Sequence, residues 1–362
     1  MPMFQTSVRS GLSIAAVAAT VLLASCATPE PEPVAPPPPP PPPAVTLNEG
    51  VAEAASIYVT FIREVGSIQA GFPDAESIQA AIRRGAAYEP AQLSRGMIAY
   101  GSILALQSPE FVSGVRTFAV DPAQRQRMIE RIIADPAYAA TFPGADAAAG
   151  LIVEVIGKDS ASLMTIANAV EEDAYTIQGR SDPRRRWAST HIANRNDRLE
   201  SAKSLSAVQM LPSAEDSARL FAAANAGTGL SLTPAEAGPP YTPAVVNSLA
   251  IAALAALGAG GDDARANTEA LVVESNSEFC LNMSKLMLFQ CLAASRPSYE
   301  DIFCVGRHIM RDLATCTASN ITPVPPVTPA PDTAVAGAGG ISSPIAAGAA
   351  AASVSAIQSA SR

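Results

Sequence analysis

Residues 274–317 read ESNSEFCLNMSKLMLFQCLAASRPSYEDIFCVGRHIMRDLATCT, and this stretch decides the fold. Residues 274–295 and 298–317 both read as helices, joined by a short turn at Arg296-Pro297. In an antiparallel helical hairpin, residues that lie level have position numbers that add to a constant. Cys291 with Cys304 adds to 595 and Cys280 with Cys316 to 596, so both pairs are level. Four cysteines allow three pairings, and this geometry selects one of them. The expected bridges are Cys291–Cys304 and Cys280–Cys316, about three helical turns apart. Each would stabilise the fold by roughly 2–4 kcal/mol through restriction of the unfolded chain.

The arrangement looks like the twin-cysteine helical hairpins of oxidatively folded mitochondrial proteins, on spacing alone and without implying a shared function. A metal site would use the same cysteines with His308, four residues after Cys304 and on the same helical face. Structural zinc usually takes cysteines two to four residues apart. These stand eleven or more apart, so no metal is expected.

Outward from the hairpin, the body continues in the same character. Ser108-Pro109, Asp121-Pro122, Asp135-Pro136, Asp182-Pro183, Thr233-Pro234 and Thr242-Pro243 each set a capping side chain before a proline, which marks a helix start. Ile57, Tyr58, Phe61, Ile62, Val65 and Ile68 form one apolar stripe at helical spacing. Met128, Ile129, Ile132 and Ile133 form a second. Leu151, Ile152, Val155 and Ile156 open a third, on a long helix expected from Ala145 to near Gln178. No stretch alternates with period two between turn signals, and no repeat recurs at a fixed period. The fold class is therefore all-α: a multi-helix, bundle-like body with a C-terminal disulfide-linked helical hairpin. The segments are a helical domain at 46–226, loops around one buried Ala-rich helix at 227–263, and the two-disulfide hairpin at 264–317. Residues 245–257 are the most apolar part of the mature chain, yet too short to span a bilayer.

The two ends differ from the body. Arg9, the apolar run 11–23 and Leu23-Ala24-Ser25-Cys26 follow the order of an export signal. Leu-Ala-Ser-Cys resembles the lipobox of bacterial lipoproteins. That resemblance implies removal of residues 1–25, a diacylglyceryl group on Cys26 and an acylated new amino terminus. It further implies an oxidising compartment, which suits disulfides. Family knowledge places a retention Asp after the modified cysteine of inner-membrane lipoproteins; Ala27 stands there, which implies the outer membrane, facing the periplasm. Residues 26–45 include eight consecutive prolines, Pro36 to Pro43, and read as a polyproline II spacer. At roughly 3.1 Å per residue, its 18 residues from Ala27 to Ala44 would hold the body about 55 Å from the lipid. Residues 318–362 lose charge and bulk and read as a disordered tail. Its terminal Arg362 departs from the terminal Lys by which Braun-type lipoproteins attach to peptidoglycan.

The full chain has 362 residues, a net charge of −9 and 5% aromatic residues. The acidic balance and the envelope address argue against nucleic acid. Catalytic patterns are missing: His191 and His308 belong to no H-E-x-x-H, no G-x-S-x-G occurs, and the Gly-rich loop at Gly258 lacks the Lys and Ser/Thr of a P-loop. No cofactor is expected, and nothing supports an enzyme. The most unusual cluster is Arg180, Arg184, Arg185 and Arg186 beside Trp187, followed by His191, Arg195 and Arg198. Arginines in the first turn after Asp182-Pro183 oppose the helix dipole and call for acidic compensation. Glu171, Glu172 and Asp173 on the preceding helix would supply it. In the alternative, Arg184, Arg185, Arg186 and Trp187 recognise an anionic group on a lipid, glycan or protein. Tyr138, Phe142 and Tyr175 read as core. The expected partners are membrane lipid, through Cys26, and an unknown envelope protein or glycan. The expected function is a non-enzymatic scaffold or adaptor; a hydrolase using acidic residues and a lipid or small-ligand carrier are the alternatives.

Overall fold

A computed structural model describes residues 41–179, 183–227 and 229–323. The export signal, Cys26, most of the spacer, Arg180, Asp182, the Arg184 side chain and the tail from 324 lie outside the described residues. Among the described residues there is no strand, only isolated bridges at Leu47 with Gly260 and His191 with Pro297. The chain is all-α.

The first half forms α1 (Glu49–Gly66), α2 (Ala75–Ala86), α3 (Pro90–Ala105), α4 (Pro109–Arg116), α5 (Pro122–Ala134) and the long α6 (Ala145–Gly179). The second half adds α7 (Arg195–Ser206), α8 (Ala214–Ala226), α9 (Pro243–Ala256), the single turn α10 (Ala266–Glu269) and α11 (Ser275–Ala294). It closes with α12 (Ser298–Cys304) and α13 (Asp312–Ile321), joined without a break by a π-helical segment, Val305–Arg311.

The polar–proline pairs act as the sequence implies at three places. Ser108, Asp121 and Thr242 accept backbone N–H groups at the starts of α4, α5 and α9. Asp135-Pro136 opens a 3₁₀ turn, Pro136–Thr141, instead of an α-helix. Thr233-Pro234 opens no helix. That segment is held extended against α6: the Ala237 N–H donates to Asp146 O at 3.0 Å, and a Cβ on Gly150 would collide with the Ala235 carbonyl. A local cap signal yields there to a tertiary contact.

The core is built of small side chains, which is how it manages with few aromatics. Helix α9 is buried on all sides from Ser248 to Ala256. Its neighbour α3 approaches closely at Gly101, where a Cβ would stand 2.5 Å from Ser248 Oγ; that hydroxyl donates to Ile98 O at 3.0 Å. The five stripe residues of α1 and Ile68 just past its end are buried, whereas Ile133 of the α5 stripe is exposed. One apolar cluster runs from Leu47 to Ile321. Among the described residues no helix is long and apolar enough to cross a membrane.

The hairpin carries the bridges Cys280–Cys316 and Cys291–Cys304, with Cα separations of 5.7 and 5.8 Å. Its second arm departs from expectation in two ways. It runs to Ile321, past Thr317, because Ile321 is buried and Asn320 Nδ2 donates to Ser277 Oγ at 3.0 Å. Its middle is π-helical. Cys280 and Cys291 are 11 residues apart, about 20° from whole turns, but Cys304 and Cys316 are 12 apart, about 120° off in a regular α-helix. A π turn takes in the extra residue and returns Cys316 to the face of Cys304.

Candidate functional site

The 3₁₀ turn Pro183–Ser189 places the arginine cluster against the C-terminal end of α6. Arg185 is engaged there. Its guanidinium forms a two-pronged pair with the Asp173 carboxylate, Nη2 to Oδ2 at 2.9 Å, and also donates to Phe72 O at 3.2 Å. Asp173 Oδ2 accepts the Gly71 N–H as well, at 3.0 Å. The acidic run on the preceding helix thus supplies a partner for Arg185, as the first reading of the cluster requires. Glu171 instead holds Arg311 of the π segment, at 2.6 Å.

The later arginines also act within the fold. Arg195 donates to Ser295 O at 2.7 Å and Ala293 O at 2.6 Å, satisfying carbonyls at the end of α11. Arg198 is buried against Asp301. Arg186 is exposed, and Trp187 is half-buried with one side on the core. His191 sits in the bridge to Pro297, and His308 Nδ1 lies 2.9 Å from Asp312 Oδ2. Among the described residues no three His, Cys, Asp or Glu side chains gather where they could hold a metal.

The turn that carries Arg186 and Trp187 packs on both α6 and α12. The chain that follows is stitched to the hairpin turn: Ser298 N–H donates to Thr190 O at 3.1 Å, and Ile192 N–H to Arg296 O at 2.8 Å. Between α6 and α12 a groove of about 200 Å³ opens, lined by Ala174, Tyr175 and Gln178 from one side and Tyr299, Glu300 and Phe303 from the other. Tyr175 and Phe303 meet edge to face, centroids 5.8 Å apart. Tyr175 is 52% exposed, which corrects its expected place in the core. Phe142 is buried and Tyr138 packs edge-on against it at 5.3 Å, with Arg131 3.9 Å over its ring.

Tyr299 and Phe303 escape the sequence reading, although a signal was present. They stand four residues apart on one helical face, beside the Ile302 and Cys304 positions that turn into the core. Rings that share a face next to a committed inner face have to look outward.

A larger hollow, about 390 Å³, lies where Lys285 is buried near Glu89, Asn282 and Phe289. Burial lowers the Lys285 ammonium to about 8. The amine is held by structure: it donates to Tyr88 O and to Ser206 O at 2.9 Å, and sits 4.3 Å over the Tyr88 ring. It therefore ties α11 to the ends of α2 and α7. Compared with that hollow, the aromatic groove offers flat apolar faces with a polar rim of Gln178 and Glu300, suited to binding a sugar ring or a partner's side chain. No family of known proteins, no curated protein and no solved structure matches the chain.

Proposed function

We propose that the chain is an outer-membrane lipoprotein, anchored through acylated Cys26, whose helical body works as a non-enzymatic adaptor for another component of the cell envelope. The groove of Tyr175, Tyr299 and Phe303, set between the two helices on which the turn of Arg186 and Trp187 packs, is the contact surface, and it is the observation that carries the reading. Aromatic and arginine side chains are the residue types that dominate binding surfaces. An envelope glycan or an acidic protein segment fits: rings stack on the apolar faces while Arg186 engages a carboxylate or phosphate. The spacer of residues 26–45 lets the groove reach away from the anchoring leaflet.

The test is capture of envelope material from detergent-solubilised membranes by the full chain. Tyr175→Ala with Tyr299→Ala, and separately Arg186→Ala, should each reduce capture at least about tenfold. Capture that survives all three substitutions, or a hydrolytic activity on isolated cell wall, refutes the proposal.

A further inference from the structure

Helix α11 turns an outward face to solvent that bears no exposed charge along its 20 residues. Its two ionisable side chains are elsewhere: Lys285 is buried and Glu278 half-buried toward the flank. Phe279 is 67% exposed, and Met283, Leu286 and Met287 are 39%, 46% and 41% exposed. The inner face is apolar as well, through Leu281, Leu288 and Leu292, so α11 is a helix with two apolar sides and a core for only one of them.

The outward pattern has an internal symmetry. Met283 stands at the centre, Phe279 and Met287 lie four residues to either side, and the exposed amides Asn276 and Gln290 lie seven to either side. At about 100° per residue all five fall on one face. The stripe reads polar, apolar, apolar, apolar, polar in both directions.

We propose that this face pairs with a second copy of the chain, α11 antiparallel to α11 across a two-fold axis at Met283. Residues level across such a pair add to 566, so Phe279 meets the partner's Met287, Met283 meets the partner's Met283, and Asn276 meets the partner's Gln290. The first is a favourable sulfur–aromatic contact. The last joins two carboxamides, each donor and acceptor at once.

Charge singles out the occupant. In a chain of net charge −9, two copies repel through most of their surfaces, and an uncharged face is where they can meet. The same face offers no charge by which an oppositely charged partner would be recognised. A helix about 30 Å long and roughly 10 Å wide buries about 300 Å² per copy, against about 800 Å² in a standard interface. Val273, 44% exposed just before the α11 cap, extends the patch at its end. The pairing is accordingly weak, in the micromolar range.

Sedimentation velocity of the full chain, from roughly 1 to 300 µM, reads it out. The expected result is a reversible dimer that Met283→Glu weakens at least about tenfold by setting two carboxylates on the axis. The double variant Asn276→Lys, Gln290→Glu places opposite charges level with each other and should associate more tightly than either single variant. All three positions are exposed, so unchanged helicity and intact disulfides establish that the variants are folded. A chain that stays monomeric throughout, a dimer indifferent to Met283→Glu, or a double variant no tighter than the singles overturns the proposal. So does a monomer that binds phosphatidylcholine vesicles through Phe279, because that gives the face another occupant.

Discussion

Arg198 and Asp301 form a buried ion pair: Nη1 of Arg198 lies 2.5 Å from both oxygens of the Asp301 carboxylate, tying α7 to the start of α12. Burial leaves the Asp301 carboxyl above its ordinary value despite the guanidinium beside it, so desolvation outweighs attraction. The carboxylate also accepts from Ser295 Oγ at 2.7 Å and Gln79 Nε2 at 3.1 Å. Either Arg198→Ala or Asp301→Ala should cost about 3–5 kcal/mol, because each strands a charge in the interior. Arg198→Met with Asp301→Leu should recover most of that loss in a denaturant titration. A double variant no more stable than either single one would show the pair to be a net stabiliser.

The two bridges and the π segment make a length prediction. Deleting Arg307, an exposed residue of the π segment, shortens the spacing of Cys304 and Cys316 to that of Cys280 and Cys291, so a regular α-helix can serve both bridges. Peptide mapping under non-reducing conditions should find both bridges in that variant. Deleting Met287 from α11 widens the mismatch and should yield mixed pairings. Replacing both cysteines by serine should cost about 4 kcal/mol for the bridge spanning 36 residues and about 3 kcal/mol for the one spanning 13.

What was legible in the sequence is what depends on near neighbours. The caps at Ser108, Asp121 and Thr242 need only the next few residues, and the level cysteine pairs need only one turn between two helices. The 595 and 596 sums even carry the π turn, as a mismatch of one residue that regular helices on both arms would not leave. What escaped depends on distant partners. Thr233-Pro234 loses its helix to a crossing of α6, and Tyr175 is exposed because α12, more than a hundred residues later, leaves a groove beside it. The arginine run read as one cluster, yet its members turn to Asp173, the end of α11 and Asp301 separately.

Cys26 lies outside the described residues, and the proposed anchoring rests on Leu23-Ala24-Ser25-Cys26. Cys26→Ala should move the chain from the membrane fraction to the soluble periplasmic fraction and abolish incorporation of labelled fatty acid. A variant that stays lipid-labelled would refute the lipobox reading. An unlabelled variant that stays with the membrane would point to attachment through the body, which the Arg186→Ala and Tyr175→Ala variants would then test.

Two carboxylates should bend the stability profile in opposite directions. The Arg63 guanidinium, 2.5 Å away, holds Asp216 down at about 2. The folded value lies below the unfolded one of about 3.9, so this stabilisation is complete above pH 4 and is lost as pH falls through 2. Arg63 is 59% exposed, so solvent screening keeps it to about 1 kcal/mol. Burial instead raises Asp159 to about 6, with the Tyr58 hydroxyl donating to it at 3.4 Å. Its folded value exceeds the unfolded one, so the protonated fold is favoured: the cost of ionising the buried group is absent below pH 4, grows between 4 and 6, and is complete above 6. Asp159→Asn removes that charge while an amide oxygen still accepts from Tyr58. It should stabilise the chain by about 1–2 kcal/mol at pH 8 and by nothing at pH 3.5, whereas Asp216→Asn should destabilise at pH 8 and fade toward pH 2. Urea titrations of the two variants across this range decide it: equal signs at pH 8 would mean that burial does not govern Asp159, and that the open end of the profile at neutral pH is set by other groups.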